Sequence, residues 1–231
     1  DQSYFLWKLS DDILERTVFP LADYTKQAIR MYAAEKGFEE KNREKESMEI
    51  CFIKDDYRSF LRREIPDIDS RIGSGDFVDK DGRKIGRHKG FPFYTIGQRK
   101  GLEVAFGAPR YVLKLNPGAN TVMLGVEDDL KTQFMQIEAP HLTDSIEEVT
   151  EMIEQGCITI KIRYRSKAVP CTGLIKIDSN LYLVRFAEPV QAVTAGQYAV
   201  FYSNKDNGII IGGAKIASQR GIAQYINRFN G

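Results

Sequence analysis

The sequence is poor in the residues that build metal sites and disulfide networks. Its 231 residues include three cysteines, Cys51, Cys157 and Cys171, and two histidines, His88 and His141. The cysteines are odd in number and widely spaced, and the histidines are too scattered to complete a ligand set. We therefore expect no metal site, no disulfide framework and a reducing, cytoplasmic setting.

Charge of one sign and long apolar runs are also lacking. The net charge is +1, so a nucleic-acid surface would have to be a local patch. No apolar run approaches the ~20 residues that cross a bilayer, and no signal peptide is recognisable, so we expect no membrane partner. The apolar share of 42% is sufficient for a core in one large domain or in two to three small ones.

The N-terminal third is predicted to be helical and irregular. Ser10 precedes two aspartates that suit a first helical turn, and the Phe19-Pro20 pair ends that helix. A second helix is predicted over residues 25–36, with Gly37 as its stop. The mixed charges of residues 39–46 indicate an exposed connection.

From about residue 71 the pattern changes from helix to strand. Asp81-Gly82 predicts a hairpin between residues 76–79 and 83–86, and residues 116–118 predict another between residues 111–115 and 121–124. The last third is almost purely strand-like, at residues 158–164, 181–184, 198–202 and 209–211. We predict an α+β fold that is mostly β, with a helical N-terminal segment, a small β-rich central domain and a C-terminal antiparallel β-barrel.

Two features are candidates for chemistry, and the first is Cys51 in the run Ile50-Cys51-Phe52-Ile53. A polar approach and an apolar anchor could hold its sulfur toward a cleft. A free cysteine more often packs as a small hydrophobe, whereas reactivity requires partial exposure and a positive environment. The residues alone leave both interpretations open.

The second feature is the stretch of residues 82–102, which contains basic residues and no acidic one. Its cationic and imidazole side chains are Arg83, Lys84, Arg87, His88, Lys89, Arg99 and Lys100. Cations can hold phosphates, interleaved aromatics can stack on bases, and Gly97 and Gly101 would allow a close backbone approach to a ligand. A solvated basic hairpin with its aromatics in the core explains the same pattern equally well.

Taken in order, several short blocks resemble the tRNA-specific 2-thiouridylase (MnmA/TrmU) family. They lie at residues 1–6, 19–21, 50–53, 94–102, 163–165, 196–202 and 212–213. Each block is weak alone, but their order and spacing are specific, and the resemblance extends to about Ser218. It implies residues 1–65 as the helical remainder of a catalytic domain, 66–131 as the central domain, 132–219 as the barrel and 220–231 as a tail.

The resemblance also implies an activity. Such enzymes use ATP with Mg²⁺, bound by an N-terminal ATP-pyrophosphatase domain, to adenylate the 2-carbonyl of the wobble uridine in tRNA. Persulfide sulfur from a donor protein in a cysteine desulfurase relay then replaces the oxygen. Cys51 matches the second of two catalytic cysteines, which attacks the persulfide. The resemblance therefore also implies a disulfide bond between Cys51 and the first cysteine.

The resemblance further implies a tRNA-facing surface, in which Asp1 and Gln2 lie beside the uridine pocket. The remaining residues predicted to bind tRNA are Arg87, His88, Lys89, Tyr94, Thr95, Gly97, Gln98, Arg99, Lys100, Gly101, Arg163 and Arg165.

Departures from the family pattern limit these expectations. The sequence has no Ser-Gly-Gly phosphate loop and no first catalytic cysteine, and Cys157 and Cys171 are expected to be core or edge thiols. We therefore expect a piece of a longer protein that by itself binds no cofactor and performs no thiolation. Glu103 and the pair Met48-Glu49 differ from the residues common in the family, and the departure at Met48-Glu49 indicates a divergent paralogue with altered substrate preference.

Two other functions are alternatives to the sulfurtransferase. One is a non-catalytic tRNA- or RNA-binding barrel with Cys51 as a packed thiol, which alkylation of the native protein would distinguish. The other is a methyltransferase. We reject it because Gly73-Ser74-Gly75 precedes a short hairpin and no Gly-rich cofactor loop follows a strand.

Overall fold

The structure, a computed structural model, describes residues 2–38, 56–102, 107–205 and 208–229. It divides into two compact units, one formed by Asp1–Lys8 with Asp69–Gly231 and the other by Leu9–Ile68. Among the positions singled out in the sequence, Asp1, Met48, Glu49, Cys51 and Glu103 lie outside the described residues, and the expectations about them stay predictions.

Short helices account for the N-terminal part of the described chain. The predicted second helix is confirmed, since it begins after Thr25, whose Oγ1 accepts a hydrogen bond from the Ala28 amide at 3.2 Å. No helix of the described residues has the length and apolar character that crossing a membrane requires. In chain order the helices are α1 (Ser3–Leu6), α2 (Asp11–Arg16), α3 (Lys26–Glu35), α4 (Tyr57–Glu64), α5 (Ile68–Ile72), α6 (Ile146–Glu154) and α7 (Ala223–Ile226).

The central domain is a four-stranded sheet built from the two predicted hairpins. Its strands are β1 (Gly75–Val78), β2 (Lys84–His88), β3 (Tyr111–Asn116) and β4 (Thr121–Gly125), in the order β2-β1-β4-β3. Both hairpins are antiparallel, and β1 and β4 join them by parallel pairing. Asp79 closes the first turn, because its Oδ1 accepts from the amides of Asp81 and Arg83 at 3.0 and 2.9 Å.

An aromatic cluster forms the core of this sheet. The rings of Phe77, His88 and Tyr94 lie with centroids 5.1 to 5.4 Å apart, and His88 is only 4% exposed. Gly75 makes room for the imidazole, since a Cβ at that position would lie 2.6 Å from His88 Cε1. His88 Nδ1 accepts from the Gly90 amide at 3.0 Å. Burial lowers the pKa of His88, and the nearby Asp76 carboxylate partly opposes that change.

The C-terminal part is a closed, six-stranded antiparallel barrel, as predicted. Its order is β10-β5-β8-β7-β6-β9, and buried side chains such as Ile160, Val184 and Phe201 fill its interior. The strands are β5 (Lys131–Leu142), β6 (Ile158–Lys161), β7 (Val169–Asp178), β8 (Leu181–Gln191), β9 (Tyr198–Ser203) and β10 (Ile209–Ile216).

The strand pattern did not reveal α6, which interrupts the strands of the last third. Val149 and Ile153 on this helix are buried in the barrel core. Its start is a capping box, in which Ser145 Oγ accepts from the Glu148 amide and the Glu148 carboxylate accepts from the Ser145 amide. The spacing of Ser145 and Glu148 is the sequence signature of such a helix start.

The buried histidine predicts how the stability of the central domain depends on pH. The folded state holds His88 neutral, whereas the unfolded chain takes up a proton near the ordinary pKa of 6.5. The unfolded state therefore binds more protons below that pH, and the free energy of unfolding falls as pH drops from 6.5 toward the lower folded pKa. Urea denaturation between about pH 7.5 and pH 5 would measure this slope.

The matched variants are His88→Asn and, as a control, His141→Asn on the exposed histidine. Asparagine retains an acceptor for the Gly90 amide but cannot titrate, so H88N should be less stable at neutral pH and lose part of the slope. A slope unchanged in H88N would contradict the assignment.

Candidate nucleic-acid interface

Residues 94–102 form a loop that its own polar groups hold against β3. The Gly97 amide donates to the Val112 carbonyl at 2.8 Å, and the Val112 amide donates to the Gln98 carbonyl at 2.9 Å. The side chain of Gln98 accepts from the Thr95 amide at 3.0 Å and donates to the Lys100 carbonyl at 2.8 Å. The predicted Gln98 therefore organises the loop that presents the exposed side chains of Arg99 and Lys100.

The loop packs closely against the barrel at Gly97. Gly97 has a φ of +85°, and a Cβ placed on it would lie 3.1 Å from Cβ of Ala192, just after β8. Glycine is thus required here both by the backbone conformation and by the close packing. Gly101 also has a positive φ, of +71°.

Ala192 brings the loop and Arg163 together. The guanidinium of Arg163 donates to the carbonyl of Ala192 and, at 3.4 Å, to that of Gln191. The Ala192 amide donates to the Leu130 carbonyl at 2.9 Å and holds the residue at a φ of +54°. Nothing in the sequence marks Ala192, because an alanine with positive φ has no compositional signal.

The N-terminal segment of residues 2–8 packs on the barrel and brings Tyr4 close to Arg163. Tyr4 donates its hydroxyl to the Tyr198 carbonyl at 2.7 Å, and Trp7 lies over Gly213, where a Cβ would be 2.6 Å from the indole ring. Burial raises the pKa of Tyr4, and the charge of Arg163 opposes this change. Burial lowers the pKa of the Arg163 guanidinium, because in both groups burial disfavours the charged form. Three blocks distant in sequence therefore meet around Arg163 and Ala192.

The cations of the basic stretch differ in their surroundings. Lys84 pairs with Asp76 at 2.8 Å, Arg83 pairs with Asp81 at 3.4 Å, and Arg87 donates to Ser74 Oγ at 2.6 Å. In the part of the chain that the structure describes, Arg99 and Lys100 have no carboxylate partner. Their exposed charges are available to a phosphate.

Of the other residues predicted to bind tRNA, two are buried. His88 and Tyr94 are 4% and 5% exposed and pack in the aromatic core of the sheet. By contrast, Gln2, Lys89, Thr95 and Arg165 are exposed. The stretch thus combines both sequence interpretations, with its buried aromatics in the core and its cations at the surface.

The described thiols do not form a reactive pair. Cys171 is buried, which raises the pKa of its thiol to about 12, and its Sγ donates to the Gly173 carbonyl at 3.4 Å. Cys157 is half-buried with its Sγ 3.5 Å from the Gln155 carbonyl. Both are free thiols, so the expected disulfide bond finds no support within the described residues.

Comparison with known proteins identifies three consecutive domains. Residues 1–55 match the tRNA methyl transferase HUP domain, residues 58–126 the tRNA methyl transferase PRC-barrel domain, and residues 132–216 the aminomethyltransferase beta-barrel domain.

Similar whole proteins carry one functional name. A tRNA-specific 2-thiouridylase MnmA 3 of Phocaeicola vulgatus is 54% identical over 222 residues, covering 96% of this chain and 57% of that protein. One of Bacteroides fragilis (strain YCH46) is 50% identical over 228 residues, covering 99% of the chain and 61% of the relative. The MnmA of Cytophaga hutchinsonii is 42% identical over 219 residues, covering 94% and 57%. The chain spans 57–61% of the length of these relatives.

The close contact between Gly97 and Ala192, called the junction below, predicts the effect of adding one methyl group to Gly97. Gly97→Ala should lower the free energy of unfolding by about 1–2 kcal/mol, because alanine is strained at this φ and its Cβ presses on Ala192. Thermal unfolding would measure the loss. Gly118→Ala is the control, since Gly118 lacks a positive φ and its nearest neighbour to a new Cβ is 3.7 Å away. Equal stability of the two variants would contradict this account.

Proposed function

The chain belongs to the tRNA-specific 2-thiouridylase (MnmA) family, and from that premise we propose that it is the part of such an enzyme that holds tRNA and supplies the second catalytic thiol. The observation that carries the tRNA-binding role is the junction at Ala192. It joins the loop of residues 94–102, Arg163 and the N-terminal segment in one surface.

The proposed reaction replaces the 2-oxygen of the wobble uridine with sulfur. ATP with Mg²⁺, bound outside this chain, would transfer AMP to the 2-oxygen and release pyrophosphate, which activates the 2-carbonyl. The Cys51 thiolate attacks the inner sulfur of a persulfide on the first cysteine, so the sulfur–sulfur bond breaks, a disulfide forms and hydrosulfide leaves. Hydrosulfide adds to C2 of the uridine and AMP departs with the oxygen. A thiol reductant then restores the two cysteines, and the proposed setting is the reducing cytoplasm.

The proposed partners are tRNA with a wobble uridine and a sulfur-donor protein of a cysteine desulfurase relay. Methyl transfer is not proposed, although two of the matching domain descriptions use that term. No Gly-rich cofactor loop follows a strand in this sequence, and Gly75 is occupied with packing against His88.

The unpaired cations of the loop predict a salt-dependent contact. Arg99→Ala with Lys100→Ala should weaken binding of a tRNA transcript about tenfold at low salt and reduce the slope of log K against log[salt] by about 1.4–1.8, because two phosphate contacts are lost. Fluorescence anisotropy across a salt series would measure both quantities. The control replaces Lys176 and Lys205 on the barrel by alanine. If both double variants bind as the wild type does, the loop is a solvated surface.

The proposed thiol chemistry predicts a specific loss in the cell. In the full-length protein, Cys51→Ser should leave protein levels normal but abolish 2-thiouridine in tRNA, because a hydroxyl cannot open the persulfide. Mass spectrometry of digested tRNA would measure the nucleoside, and Cys157→Ser should leave it unchanged. Persistence of 2-thiouridine in C51S would favour the non-catalytic tRNA-binding barrel.

A further inference from the structure

A cleft of about 460 Å³ lies between the central sheet and the barrel. The central domain contributes one wall, from Thr95, Ile96 and β3, and the barrel contributes the other, from residues 193–195 and 218–220. The cleft adjoins the interface described above, because Thr95 and Ile96 precede Gly97 and Thr194 follows Ala192 by two residues.

Hydrogen bonds from side chains fix both walls. On the barrel side, Gln219 accepts from the Gln136 amide at 2.9 Å and donates to the carbonyls of Gln136 and Ala217 at 3.1 and 2.6 Å. The side chain of Gln219 therefore holds residues 218–220 against β5. On the other side, Gln98 holds the Thr95 amide at 3.0 Å. The shape of the cleft is thus set before any ligand arrives.

The lining of the cleft is suited to an anion. Two cations face it, Lys114 from β3 and Arg220 after β10, and no carboxylate lines it. Both side chains are exposed, and neither makes an ion pair within the described residues. The register of β3 shifts between Val112 and Lys114, and such a shift redirects a side chain.

The remaining lining supplies hydroxyl donors above an apolar floor. Thr95 and Ser218 carry the hydroxyls, while Ile96 and Leu115 contribute apolar surface. Phosphate oxygens only accept hydrogen bonds, and cations with hydroxyl groups are the side chains that proteins use to position a nucleic-acid backbone.

We propose that this cleft binds a phosphodiester of the tRNA backbone, with Lys114 and Arg220 as its charged ligands. The inference rests on the proposed function and extends the interface beyond the residues that the sequence identified. The RNA strand passes from the loop of Arg99 and Lys100 across the junction at Ala192 and into the cleft.

Single charge removals test the cleft. Lys114→Gln and Arg220→Gln should each weaken binding of a tRNA transcript about fivefold at low salt and reduce the slope of log K against log[salt] by about 0.7–0.9. Lys205→Gln removes the same charge beyond the opposite end of β9 and should change neither quantity. Arg220→Lys should restore the slope, which a structural role for the guanidinium would not predict. Thermal unfolding verifies that each variant is folded.

The outcomes separate this inference from the proposed function. If the Arg99 and Lys100 double variant weakens binding but K114Q and R220Q behave as K205Q does, the cleft inference is overturned and the interface stands. If the cleft variants alone weaken binding, the cleft is supported and the loop is not. A wild-type chain that binds no tRNA overturns both.

Discussion

The close contact between Gly97 and Ala192 is the constraint on which the rest of the interface depends. Both residues have positive φ, and a Cβ on Gly97 would lie only 3.1 Å from the methyl group of Ala192. The carbonyl of Ala192 accepts from the Arg163 guanidinium and, at 2.9 Å, from the Thr194 hydroxyl, which uses both lone pairs of one oxygen. One peptide unit thus connects the central loop, the barrel and a half-buried cation.

The cations of the central sheet, the loop and the cleft differ in whether a described carboxylate pairs with them. At the β1–β2 hairpin, Lys84 and Arg83 pair with Asp76 and Asp81, and exposed pairs of this kind contribute little to stability. Along the loop and the cleft, the cations have no such partners among the described residues. A chain with a net charge of +1 can therefore present a positive patch locally.

The features that were predicted from the sequence are those determined by residues close together in the chain. Asp81-Gly82 indicated the first hairpin, and the alternation of Ile158, Ile160 and Ile162 indicated a barrel strand with one buried face. The parallel pairing of β1 with β4 was not predictable in this way, because it joins residues more than forty positions apart and no turn specifies it. Helix α6 could have been found from the capping box at Ser145, whereas Ala192 carries no local signal.

The alternation of side chains along a strand explains why the basic stretch was ambiguous in the sequence. A strand alternates its side chains between two faces, so Arg87 and His88 point in opposite directions although they are neighbours. The imidazole enters the aromatic core and the guanidinium remains outside, held by Ser74. With His88 and Tyr94 packed in the core, the loop of residues 94–102 and the cleft present mainly cations and hydroxyls. Such groups contact phosphates and fix the position of an RNA without reading its bases. On the proposed function, recognition of the uridine itself therefore falls to residues outside this surface.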